Sequence, residues 1–410
     1  MHTPLENTAD IIVLGCFDTK AELFAALYEE LRSLGRKVIT INTSLLGTTH
    51  LFPVDYENWQ VISLTGLDLT EVVSMPNRNS AVELMTTAAA ILLQKLTDAE
   101  NTEIGGIVGI GSDGDSNIVL KAMEKVRFGI PKICISTLAA KDVSHFIGSK
   151  DIMLVPSVVE LGGVNSIISH LLKQTALSLD GMAGKASADT KSGKRIAISV
   201  FENTRACASV CTRLLNENGY EVFTFQANGT GCRKMEELIR GGYFNGVLDL
   251  TTTELADEIC GGICSAGTER LTAAAETGIP QVVVPGGLDM VNFGSPETIP
   301  NRYQDRVLYN WSPDITLMRT NFSENMELGN RLSDKLLVSA EPVSVMLPQQ
   351  GISEIDREGS SFYNERSDKK LFDTIHQKLT GKIQVKTLTY HINDYEFAEA
   401  LVEELMFFLK

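Results

Sequence analysis

No stretch of the 410-residue sequence approaches the roughly 18–20 consecutive apolar residues of a membrane-spanning helix, since Gly, Asp or Lys interrupts the longest runs. Basic residues are scarce relative to acids, 36 Lys and Arg against 52 Asp and Glu, for a net charge of −16. Dividing the chain at Gly193 leaves 15 basic and 22 acidic residues before it (−7) and 21 and 30 from there on (−9). Neither half therefore holds the clustered cations that a phosphate backbone or an anionic membrane surface requires, and nucleic acid and membrane are excluded as expected partners. The first ten residues, MHTPLENTAD, contain no Lys or Arg, so a secretory n-region is missing and a cytoplasmic protein is expected. Cys-x-x-Cys and His-Glu-x-x-His are absent. The seven cysteines include two pairs four residues apart, Cys207/Cys211 and Cys260/Cys264, read as small core hydrophobes and not as a metal site. At 43% hydrophobic and 21% charged residues, the composition excludes a disordered chain and a coiled coil.

What the sequence does contain is a repeated alternation. Short Val/Ile-rich runs, IIVLG (11–15), KVITIN (37–42), GIVGIG (106–111) and KICIS (132–136), are separated by amphipathic stretches such as AELFAALYEELRSLG. After residue 194 come RIAISVF, EVFTFQ, GVLDLT, QVVVPG, ITLMRT, PVSVML and IQVKTL. Continuous apolar strands alternating with helices predict mostly parallel sheets covered on both faces: an α/β protein of two doubly wound, Rossmann-like subdomains. The small, polar segment GMAGKASADTKSGK marks the junction, giving subdomains 1–182 and 194–410 and a linker at 183–193. Internal similarity accompanies it. Leu31-x-x-x-Gly35-x-x-Val38-x-Thr40 matches Leu215-x-x-x-Gly219-x-x-Val222-x-Thr224, Gly106-Ile-Val matches Gly246-Val-Leu, and Gly129-Ile130-Pro131 matches Gly278-Ile279-Pro280, in the same order.

In open α/β sheets, ligands sit beyond the carboxyl ends of the strands, near helix N-termini that favour anions. After the first strand, Asp18, Thr19 and Lys20 open a helix. Either Thr19, Lys20 and the turn's N–H groups hold a phosphate, or Asp18 or Thr19 is a plain N-cap with Lys20 in solvent. After GIVGI, Gly111-Ser112-Asp113-Gly114-Asp115-Ser116 has the glycines and hydroxyls of a phosphate cradle, but it is neither a Walker A loop nor Gly-x-Gly-x-x-Gly.

The strings LGCFDTK, PSVVELGGVNSI, NGTGCRKMEELI, GVLDLTTTELADE, GIPQVVVPGGLDMVNFG and HINDYEFAEAL give the chain a specific likeness. It resembles, over nearly its whole length, a bacterial and plant family whose best-known member is the tomato protein that binds ATP and inhibits tobamovirus RNA replication. The resemblance implies two Rossmann-like subdomains, homodimerisation, and ATP binding mainly by the first. The implied ATP contacts are Asp18, Thr19, Lys20, Arg78, Gly111, Ser112, Asp113, Gly114, Asp115 and Ser116. The family's loop reads nearer Gly-Gly-Ser-Gly-Gly-Thr. Two aspartates in its place repel phosphate unless Mg²⁺ bridges them.

The second half carries a polar set that ATP does not explain. Thr204 and Arg205 follow one strand, Gly229, Thr230, Gly231 and Arg233 the next, and Asp249, Thr251, Thr252 and Glu254 a third. Gly286, Gly287 and Asp289 follow a fourth, and His391 the last. All are expected at one sheet edge, where they form a candidate substrate site with His391 and a carboxylate, Asp249 or Glu254, as acid–base pair. Three functions compete: a nucleotide-binding protein, an enzyme of small acidic or phosphorylated metabolites, and a protein whose role is to bind a partner protein.

Overall fold

The structure, a computed structural model, describes residues 10–99, 103–141, 150–183, 194–339 and 342–410. Among the described residues no helix is long and apolar enough to cross a membrane. The chain divides into two compact units, Met1–Thr190 and Lys191–Lys410. Residues 184–193 of the expected linker lie outside the described residues.

The first unit opens β1 (Asp10–Gly15), α1 (Ala21–Ser33) and β2 (Val38–Asn42), followed by the short helices α2 (Asn58–Ser63) and α3 (Leu69–Val73). It continues α4 (Arg78–Thr97), β3 (Ile104–Gly111), α5 (Asp113–Glu124), β4 (Lys132–Ser136), β5 (Ile152–Pro156) and α6 (Ser166–Met182). All strand pairs are parallel, in the order β2-β1-β3-β4-β5. Because side chains alternate along a strand, β1 feeds two cores at once. Ile11 and Val13 join Phe24, Leu27 and Leu31 of α1 and Leu172 and Leu179 of α6. Ile12 and Leu14 join Met85 and Leu92 of α4 and Val119 and Met123 of α5. Burial on both faces is why these strands read as unbroken apolar runs.

The second unit runs β6 (Arg195–Val200), α7 (Arg205–Glu217), β7 (Glu221–Gln226), α8 (Thr230–Arg240), β8 (Gly246–Thr251), α9 (Glu254–Cys260), α10 (Ala273–Thr277) and β9 (Gln281–Gly286). After β10 (Met290–Phe293), β11 (Leu308–Ser312) and β12 (Ile315–Arg319) come α11 (Phe322–Leu336), β13 (Val343–Pro348), α12 (Glu365–Leu379), β14 (Gln384–Leu388) and α13 (Tyr395–Phe408). The main sheet, β14-β13-β9-β8-β6-β7, repeats the winding of the first unit with one strand added at the edge. The internal matches fall at equivalent points. Gly35 and Gly219 end α1 and α7 at φ 81° and 83°, and Gly129 and Gly278 precede β4 and β9 at φ 93° and 68°.

One strand differs from the sequence expectation. ITLMRT is β12, and it pairs antiparallel with β10 and β11 in a separate three-stranded sheet. Met290 of β10 and Leu317 of β12 pack with Phe362 on one face of that sheet. Val291, Phe293 and Met318 on the other join the core of Val283 in β9 and Val345 in β13, so its apolar residues feed both cores without the strand joining the parallel sheet.

Candidate functional site

In both sheets the winding reverses beside the first strand, and that reversal is where an α/β sheet opens a crevice. In the first unit it lies between β1 and β3. The turn after β1 is tied to the end of β2: Phe17 N–H donates to Asn42 Oδ1 (3.4 Å), Asp18 N–H to Ser44 Oγ (3.1 Å) and Thr43 N–H to Gly15 O (2.9 Å). The turn after β3 is tighter. A Cβ on Gly111 would stand 2.4 Å from Ser116 N, so only glycine lets the first turn of α5 fold back on the strand. Ser116 Oγ bonds Ser136 Oγ (2.6 Å), which anchors that turn to β4.

These turns and the start of α4 enclose a cleft of 420 Å³. Asp18, Thr19, Arg78, Gly114 and Asp115 line it, together with Asn79 and Asn117. Its apolar wall is Leu45, Leu46, Val82 and Ile118. Arg78 is exposed at the first position of α4, and its side chain makes no hydrogen bond or ion pair to any described residue. Lys20 is different: its side chain is buried and its ammonium is ion-paired with Asp115. Ser112 is the N-cap of α5 without a side-chain cap bond, and Asp113 is the first residue of that helix. Gly111 and Ser116 are buried in the turn. Cys16 also faces the cleft, but burial and the neighbouring Asp115 carboxylate push its thiol up to about 12, so at neutral pH it is no nucleophile.

In the second unit the corresponding crevice is filled by its own side chains. Thr204 and Thr251 share a hydroxyl bond (2.7 Å), and Ser199 Oγ donates to Asp249 Oδ1 (2.7 Å). Asp249 and Glu254 converge on Arg270, a residue in no sequence motif. Its guanidinium donates to Asp249 Oδ2 (2.7 Å), to Thr251 O (3.0 Å), to Glu236 Oε1 (3.2 Å) and to Glu254. Glu254 also accepts from Gly229 N–H (2.8 Å), and Glu236 from Leu271 N–H (2.6 Å) and Ala273 N–H (2.8 Å). All four charged side chains are buried, and burial, opposed by Arg270, raises the Glu236 carboxyl. Leu271 beside Arg270 has φ 71°, a strained backbone held by this network. Asp249 needed a partner to be tolerated inside an apolar strand, and Arg270 is that partner.

The other second-half residues do not gather there. His391 lies in a separate, open depression with Glu202, Arg205, Glu354, Arg357 and Asp394. Its Nε2 lies 2.9 Å from Ser353 O, which can only accept, so Nε2 carries the proton; its Nδ1 accepts from Asn393 N–H (3.1 Å). Both ring nitrogens are engaged, and burial lowers the imidazole's pKa. Arg205 pairs with Glu202 at the surface. Arg233 donates to Ser265 O (3.0 Å) and to Thr230 Oγ1 (3.2 Å). Thr252 Oγ1 donates to Val284 O (3.2 Å), and Gly231 packs against Gln226 O. Gly286 abuts Leu250 O, and Gly287 N–H donates to Ile352 O (2.9 Å). Asp289 accepts from Ser353 Oγ (2.6 Å) in a second buried charged group with Arg319, Asp356 and Asp368.

Models of the two domains of the uncharacterised protein family UPF0261 match residues 9–188 and 193–409. The chain belongs to the UPF0261 family. Among similar UPF0261 relatives, the protein of Clostridium tetani is 38% identical over 97% of this chain and 98% of its own length. That of Rhizobium meliloti is 34% identical over 96% and 97%. The tomato (Solanum lycopersicum) ToMV resistance protein Tm-1 is 32% identical over 99% of this chain, which spans 56% of that longer protein. The UPF0261 likeness thus covers both units.

Proposed function

We propose that the first unit binds ATP, with Mg²⁺, in the cleft between β1 and β3. The observation that carries this reading is convergence. Asp18 and Thr19 after β1, Gly114 and Asp115 after β3 and Arg78 at the head of α4 come from distant points of the sequence and line one cleft. The chemistry of its walls is divided as a nucleotide's is. Leu45, Leu46, Val82 and Ile118 suit the face of a base, while Arg78 and the N-terminal turn of α5 suit phosphate oxygens. The family resemblance carried by the sequence motifs implies the same assignment.

The second unit offers less for an enzyme of acidic metabolites. Asp249 and Glu254 are bound to Arg270 and His391 to Ser353 and Asn393, so the candidate acid–base pair is divided between two places, with its groups engaged. Calorimetric titration of the intact protein with ATP in MgCl₂ tests the proposal. Saturable binding is expected, weakened about tenfold or more by Arg78→Ala, as loss of a charged hydrogen bond worth about 1.5–3 kcal/mol implies. Absence of binding overturns it.

A further inference from the structure

Beside the cleft stands a second cation that, unlike Arg78, is not free. Lys20 emerges from the turn after β1, and its ammonium is held by the Asp115 carboxylate, which stands in the first turn of α5 and lines the cleft. The Lys20 side chain is 7% exposed and that of Asp115 25%, so solvent and salt screen this pair far less than a surface one. A second carboxylate faces the same cleft. Asp18 has its Oδ1 buried without a hydrogen-bond partner, a costly arrangement for an anionic oxygen. A bare polyphosphate entering this cleft meets two carboxylates against Arg78, the single free cation among the described residues that line it, with the charge of Lys20 already taken.

A hard divalent cation reverses each of these terms. Mg²⁺ is held by one or two carboxylates together with substrate phosphates, and it satisfies an orphaned carboxylate oxygen. We propose that Asp115 is a metal-controlled latch on Lys20. When Mg²⁺ arrives with the nucleotide, Asp115 and Asp18 turn to the metal, and Lys20, a point charge on a flexible stem, is released to the phosphate. The inference rests on the nucleotide reading of this cleft and adds to it a divalent-cation requirement set by one residue. It also separates two roles for Asp115. A carboxylate that merely repels phosphate acts whether or not Lys20 is present, whereas a latch acts only through Lys20.

A double-mutant cycle distinguishes them, with ATP as the probe, calorimetry as the readout, and four intact proteins: the parent, Asp115→Asn, Lys20→Met and the double variant. Each is titrated in MgCl₂ and in EDTA. The parent is expected to bind ATP at least tenfold more weakly in EDTA. Asp115→Asn is expected to bind in EDTA about tenfold better than the parent, and to lose that gain when Lys20→Met is added. Because the diagnostic change is a gain of binding, it cannot be produced by a variant that fails to fold. Equal parent affinity in the two buffers overturns the cation requirement while leaving the nucleotide reading intact. A gain from Asp115→Asn that survives Lys20→Met overturns the latch. No ATP binding by any of the four proteins in either buffer overturns the nucleotide reading and this inference with it.

Discussion

Arg270 serves three buried carboxylates, Asp249, Glu254 and Glu236, and the strained Leu271 follows it. Removing the guanidinium leaves these charges uncompensated, and breaking a buried pair costs about 3–5 kcal/mol. Arg270→Met is therefore expected to lower the urea midpoint of unfolding by at least that equivalent. A loss below about 1 kcal/mol, the range of an exposed pair, contradicts this role. Part of this was legible: a carboxylate inside GVLDLT demanded a partner. Its identity was not, because Arg270 lies in a connection without periodicity or motif, and Arg233, which is nearer in sequence, bonds Ser265 O and Thr230.

Asp356 is pushed up to about 9 by burial and by the carboxylates of Asp289 and Asp368, with Arg319 opposing. An unfolded aspartate titrates near 3.9. The folded state thus binds the extra proton. Its stabilisation is fully present below about pH 4 and is lost as pH rises through about 9. Asp289, pushed up to about 6, contributes with the same sign. Asp356→Asn, which cannot ionise, is expected to gain stability over the parent as pH rises from 6 to 9, measured by urea unfolding. Parallel pH profiles contradict the assignment.

At the scale of elements, the turn from β3 into α5 places both the N-terminal turn of α5 and Asp115. Gly111 and Gly114 lie three residues apart and differ physically. A methyl on Gly111 meets Ser116 backbone, whereas one on Gly114 meets nothing within 4 Å. Gly111→Ala is expected to cost about 1–3 kcal/mol by overpacking, while Gly114→Ala leaves the melting temperature within error and alters ATP affinity through the cleft. Equal thermal shifts in the two variants contradict this account of the turn. The parallel strands were legible because burial on both faces leaves an unbroken apolar run. The antiparallel β10–β12 sheet was less so: β10 has four residues, one of them Asn292, and β12 reads like any buried strand. Pairing direction is set by connection length and by the local core around Phe362, which strand composition does not encode.

At the scale of the whole molecule, the chain comprises two units with a common winding, matched separately by the two UPF0261 domain models. The small, polar composition of 184–193 is that of a preferred cleavage site, so brief proteolysis is expected to cut there and release fragments of roughly 20 and 24 kDa from the 44.8 kDa chain. Fragments cut within either unit instead contradict this organisation. In the first unit the strand-end loops made the placement of Asp18, Thr19, Gly114 and Asp115 along one cleft legible, whereas Arg78 entered only through the family resemblance and the apolar wall of Leu45, Leu46, Val82 and Ile118 carried no signal. The dispersal of the second unit's polar residues was not, because equal strand-end placement says nothing about which side chains are consumed inside the sheet. The central claim is nucleotide binding at the β1–β3 crevice, and the most direct measurement is a crystal structure of the protein grown with MgCl₂ and ATP. The account predicts phosphate density beside Arg78 and the first turn of α5, with the base against Leu45 and Val82. An empty β1–β3 cleft at saturating ATP, or nucleotide bound in the second unit alone, contradicts it.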